Sequence, residues 1–146
     1  MITYSDPSAI MGVLLADAPD HDQLRRLIVD GAEPVFTSEI AITEVASASM
    51  AAEHGSRVSD GRLLISGFET LCANGSRIRM LTLRPARIFA RACEVMTAHH
   101  VYALDAIHLA VALEDVVPLA AGEPVRFLTR DRVQADVARA LGFTVA

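Results

Sequence analysis

Apolar and polar positions along the chain switch between two periods. Short apolar-rich runs bounded by turn residues predict strands at Ile2–Ser5, Pro34–Thr37, Arg77–Leu83 and Val125–Thr129, with Phe143–Val145 as a last edge strand. Between them, spacing near 3.6 predicts helices over Ser8–Ala16, His21–Val29, Glu39–Glu53, Asp60–Ala73, Ala86–Ala98, Asp105–Glu114 and Asp131–Leu141. The stripe Phe89, Ala92, Cys93 and Met96 marks the inward face of the fifth of these helices. Asp105–Glu114 is almost wholly apolar and should be buried on most sides. Gly142 suits the position just past a helix end. Val117–Pro124, with Pro118, Gly122 and Pro124, is the longest stretch that reads as loop.

Strands that alternate with helices imply an α/β fold, with a mainly parallel sheet covered on both faces. A chain of 146 residues without repeats or low-complexity linkers fits one domain, residues 1–146. In such sheets ligands bind beyond the carboxyl ends of the strands. Asp6 follows the first strand and Asp131 the fourth. Asp105 opens a helix, and Glu44 lies about two turns into the helix after the second strand.

Each carboxylate also has a structural reading. Asp6 before Pro7 and Ser8 is a standard helix start, with Asp at the N-cap and Pro at N1. Asp105 and Asp131 at helix starts complement the helix dipole. Glu44 fits a structural reading less well. Its neighbours on one helix face are Ile40, Ala41, Ser47 and Ala48, and a carboxylate there needs a partner or a metal. Together the four acids would repel one another.

Composition sharpens this. The chain has no lysine, and all 13 basic residues are arginine. That excludes the phosphate-binding loop that needs Lys and Schiff-base chemistry, and it argues against the aspartyl-phosphate receiver class, which needs a lysine near its phosphoryl site. A divalent cation is the economical way to neutralise the cluster, and hard ions such as Mg²⁺ prefer carboxylate and water oxygens. The net charge of −5 argues against a nucleic-acid binder, but without the four site acids the rest of the chain is close to neutral. A hydrophobic fraction of 52% excludes disorder. No apolar run reaches the roughly 18 residues of a membrane span. Met1–Ala9 lacks the basic start of a secretory signal, so a cytoplasmic protein is expected, with no membrane association. Cys72 and Cys93 read as buried reduced thiols. His99, His100 and His108 near Asp105 read as helix-end and core residues in preference to transition-metal ligands. Arg130 and Arg132 flank Asp131, where they suit either RNA phosphates or a solvated helix start.

Four segments, in order, resemble the PIN-domain ribonucleases, specifically the VapC-type toxins of type II toxin–antitoxin systems. They are Tyr4-Ser5-Asp6-Pro7-Ser8-Ala9, Thr37-Ser38-Glu39-Ile40 running to Thr43-Glu44-Val45, Leu104-Asp105-Ala106-Ile107-His108-Leu109-Ala110, and Phe127-Leu128-Thr129-Arg130-Asp131. The resemblance spans nearly the whole chain. It implies a PIN-like three-layer α/β/α fold with a short, mainly parallel sheet of four to five strands. It implies Mg²⁺ or Mn²⁺ held by Asp6, Glu44, Asp105 and Asp131, with Ser8 and Thr129 supporting the carboxylates by hydrogen bonds. The activity implied is endonucleolytic RNA hydrolysis by a metal-activated water. The partners implied are an RNA substrate, a cognate VapB-like antitoxin and a second copy in a homodimer.

Three positions depart from the family pattern. Ser5 stands where an apolar residue is usual, Pro7 where Thr or Ser is common, and Gly12 where a basic residue is frequent. They keep open an alternative, a weakly active or inactive PIN-like module that binds RNA or an antitoxin.

Overall fold

A computed structural model describes residues 1–146. Five strands form one sheet: β1 (Ile2–Ser5), β2 (Val35–Ser38), β3 (Ile78–Leu81), β4 (Val125–Leu128) and β5 (Thr144–Val145). Their order is β3-β2-β1-β4-β5 and every pairing is parallel. Alternate residues of the central strands feed opposite cores, as pleating requires. On β2, Val35 enters one core and Phe36 the other. On β4, Phe127 and Leu128 divide in the same way.

Helices α1 (Pro7–Leu14), α2 (His21–Ile28), α3 (Ala41–His54) and α4 (Gly61–Cys72) supply the core that includes Ile10, Leu24, Val45 and Phe68. Helices α5 (Pro85–Ala98), α6 (Ala103–Val111) and α7 (Arg132–Ala140) supply the other, around Tyr4, Ile88, Leu109, Phe127 and Val137. The result is the three-layer α/β/α arrangement. The chain moves outward from β1 to β3 and then crosses to β4 on the other side of β1. The order therefore reverses between β1 and β4, and this switch point is where α/β sheets place ligands.

Several local expectations need correction. The inward stripe of α5 is Ile88, Ala92 and Val95, whereas Phe89 and Cys93 are exposed. Proline at N1 starts α5 one residue early, but the rotation is set by tertiary packing, which buries Ile88 and leaves Phe89 exposed. The thiols are accordingly not deeply buried: Cys72 is half-buried and Cys93 exposed. Val117–Pro124, read as loop, is not simply loop, and the helix read over Asp105–Glu114 leaves α geometry after Val111. Ala112–Val116 forms a turn of π-helix, and Val117–Ala120, with Pro118 in its first turn, a 3-10 turn. Arg84, the N-cap of α5, and Arg87 within it pair with Asp115 and Glu114 of this segment. No helix is long and apolar enough to cross a membrane.

Candidate active site

The carboxyl ends of β1 and β4 deliver the first two acids. Asp6 leaves β1 with its N–H donated to Leu128 O at 2.9 Å, which pins it beside β4. It is the N-cap of α1: Oδ2 accepts from Ser8 N–H at 3.0 Å, and Pro7 at N1 sacrifices no helix hydrogen bond. Asp131 is the N-cap of α7, where Oδ1 accepts from Gln134 N–H at 2.8 Å. Glu44 lies in the first turn of α3, not two turns in. Ser38 Oγ accepts the Ile40 N–H in a tight turn, so helical hydrogen bonding starts only at Ala41. Asp105 is in the first turn of α6, whose N-cap is Tyr102.

These four acids meet at one end of the sheet. The Asp105 carboxyl is pushed up to about 6, first by burial and then by the charges of Asp6 and Asp131. Glu44 adds to the effect and His108 opposes it. Asp105 is also the one member whose carboxylate oxygens accept no hydrogen bond. Asp6 and Asp131 are engaged as caps, and Glu44 Oε1 lies 2.6 Å from His108 Nε2.

Gln134, absent from the sequence-based candidates, holds the cluster together. It is fully buried. Its Nε2 donates to Asp6 Oδ1 at 3.2 Å and to Asp105 O at 3.3 Å, and its Oε1 accepts from Thr129 Oγ at 2.6 Å. The signal was the Asp-x-x-Gln spacing of a capping box. Here the Gln side chain does not return to its own N-cap, because Thr129 Oγ already accepts the Asp131 N–H at 3.0 Å. Tyr4 and His108 were missed as site residues too. Tyr4 Oη lies 2.6 Å from His108 Nδ1, and both side chains are fully buried. Burial, then the charges of Asp6 and Glu44, hold the Tyr4 phenol well above its usual range, so it keeps its proton.

The supporting hydroxyls act indirectly. Ser8 Oγ accepts the Arg130 N–H at 2.9 Å and lies 3.3 Å from Thr129 Oγ. Thr129 reaches Asp6 only through Gln134. Arg130 Nε donates to Asp20 Oδ2 at 3.0 Å, while Arg132 is exposed at the start of α7. Beside the cluster runs a shallow groove along α3. One part is lined by Ser8, Met11, Ala51 and Arg130, the next by Glu44, Ser47, Ala51 and Leu104.

The donor set fits a hard divalent cation in chemistry. All four groups are carboxylates, and they crowd until one resists ionisation. As the side chains stand, no three acid, imidazole or thiol groups converge on one ion position. The caps and the Glu44–His108 bond account for three of the carboxylates.

Comparison with known proteins places this geometry. The fold is similar to that in the crystal structure of VapBC2 from Rickettsia felis bound to a DNA fragment from their promoter. The TM-score is 0.65 at 10% identity, over 100% of this chain and 98% of that one. It is also similar to FitAcB from Neisseria gonorrhoeae, with a TM-score of 0.56 at 19% identity, over 99% of this chain and 96% of that one. No curated protein sequence matches. The PIN domain family matches residues 4–140, from Tyr4 at the base of the site through the whole of α7, and the chain belongs to that family.

Proposed function

We propose that this PIN domain is an endoribonuclease dependent on Mg²⁺ or Mn²⁺, the toxin of a toxin–antitoxin pair, with Asp6, Glu44, Asp105 and Asp131 as its catalytic and metal-holding residues. PIN domains are generally nucleases, and the fold shared with VapBC2 and FitAcB supports the VapC-type reading. The observation that carries the site assignment is Asp105, a half-buried carboxylate with no hydrogen bond of its own, pushed up to about 6 among three other acids. Such a group is uncompensated until a cation arrives.

When bound, the cation supplies neutralisation of phosphate charge and a lowered pKa for water. The chain's own residues do the rest. Asp6 and Asp131 are held in place by the helix starts they cap, so their positions cost no further ordering. Gln134 spaces Asp6 from the backbone of Asp105. Exposed Arg132 can meet a phosphate directly, and Arg130 can do so by exchanging its bond to Asp20. The groove along α3, with the apolar side chains of Met11 and Leu104 and the charge of Arg130, suits a segment of a VapB-like antitoxin. We place the protein in the cytoplasm and read it as a homodimer, following the same resemblance.

The test is cleavage of a mixed RNA pool by antitoxin-free protein. Discrete fragments are expected with Mg²⁺, none with EDTA, and at least about 100-fold less cleavage by Asp105→Asn. Metal binding without cleavage by the wild type would move the protein to the binding-module class.

A further inference from the structure

Two hydrogen bonds, the first buried and the second partly buried, run in series from β1 to α3. Tyr4 Oη is 2.6 Å from His108 Nδ1, and His108 Nε2 is 2.6 Å from Glu44 Oε1. Tyr4 and His108 have no solvent exposure, so neither ring nitrogen has water as an alternative partner. A carboxylate only accepts, which puts a proton on Nε2. A ring protonated on Nε2 alone presents Nδ1 as an acceptor, and a phenol is the donor that matches it, so in that tautomer donation runs from Tyr4 to His108 to Glu44. The His108–Glu44 bond is also the side-chain hydrogen bond that joins α6 to α3. It occupies Glu44 Oε1 and leaves Oε2 without a protein partner. His108 Nε2 lies 4.0 Å from Asp6 Oδ1, so the ring stands between two of the site's acids.

We infer that His108 is a positioning residue for Glu44: it holds the carboxylate in one orientation with Oε2 free, and Tyr4 fixes the tautomer that lets it do so. Without the ring N–H, Glu44 is free to rotate about its side-chain torsions on a partly exposed helix face, and the entropy lost on fixing it falls on cation binding. The hydrogen-bond assignment stands on this geometry alone. Its consequence for the cation rests on the proposed nuclease reading.

Ring-nitrogen NMR of the full-length protein tests the assignment first, with His108 identified by the signal lost in His108→Asn. A protonated Nε2 with a bare Nδ1 is expected, and a change in that pattern in Tyr4→Phe. A protonated Nδ1 with a bare Nε2 overturns the relay whether or not the protein is a nuclease. Mn²⁺ affinity tests the consequence. His108→Asn keeps a polar atom near Nδ1 but has no donor near Nε2, and it should bind Mn²⁺ about 10- to 100-fold more weakly. His108→Gln returns an N–H towards Glu44 and should recover to within about threefold of wild type. Both variants disturb the core similarly, so thermal melting reports packing separately from Mn²⁺ binding. Equal Mn²⁺ affinity in wild type and His108→Asn overturns the positioning role. A wild type that neither binds Mn²⁺ nor cleaves RNA sinks the nuclease reading instead, and the NMR result still decides the relay.

Discussion

Gln134 shows how much of this site depends on one uncharged side chain. Its amide meets a carboxylate, a backbone carbonyl and a hydroxyl with no access to solvent. Truncation to alanine strands all three and leaves a hole, and each stranded group costs its desolvation. Gln134→Ala should therefore lose about 2 kcal/mol, a fall in Tm of roughly 6 °C by calorimetry. An unchanged Tm would mean that water replaces the amide fully. The three departures from the family pattern also find local reasons at this scale. Ser5 is fully buried, and its hydroxyl donates to the Asp6 carbonyl at 3.3 Å. Pro7 occupies the N1 position, where no N–H is needed. Gly12 leaves room for Leu24, since a Cβ there would collide with the Leu24 side chain. None of the three removes a carboxylate from the site.

At the scale of elements, the parallel sheet was legible because each strand is a short apolar run closed by a polar turn. The acids that follow β1 and β4 could be placed by that punctuation alone. Helix rotation was less legible. α5 carries apolar side chains on two adjoining stripes, and only packing against α6 selects Ile88, Ala92 and Val95. The relay, and the reach of Gln134 to Asp6, could not be read from local pattern, although the Asp-x-x-Gln spacing marked Gln134 itself. Their partners lie 64, 104 and 128 residues apart along the chain. The position of α3, and so of Glu44, depends on its neighbour α4. Glu53 Oε1 of α3 accepts the Gly61 N–H at 3.0 Å, and a Cβ on Gly61 would lie 2.6 Å from Ser49 O. That backbone contact cannot give way as a side-chain tip would. Gly61→Ala is expected to cost about 2 kcal/mol in denaturant unfolding, despite alanine's better helix propensity. A stabilised variant would show that α4 can slide along α3 without loss.

At the scale of the whole molecule, the chain concentrates carboxylates at one end of its sheet without a lysine to offset them. The fold therefore carries a charge imbalance that the proposed cation would relieve, and pH exposes it. Asp105 has its carboxyl pushed up to about 6 in the folded protein, against an ordinary value of 3.8. Between roughly pH 4 and pH 6 the folded state binds more protons than the unfolded chain, so stability falls as pH rises through that window. Above it the full cost of ionising Asp105 is present. In EDTA at pH 7.5, Asp105→Asn should be the more stable protein. Screened by solvent at a half-buried position, the gain is about 1 kcal/mol, or about 3 °C in Tm. At pH 4.5 the gain should shrink, because the wild-type carboxyl then holds its proton. Saturating Mg²⁺ at pH 7.5 reverses the order. A ligand at a hundred times its Kd adds about 2.7 kcal/mol to the wild type, and the variant, short of one ligand, gains far less. Melting curves of the two proteins in EDTA and in Mg²⁺ should therefore cross over. An Asp105→Asn protein that is less stable than wild type even in EDTA would show that Asp105 serves packing, and the charge imbalance would no longer explain why these four acids share one end of the sheet.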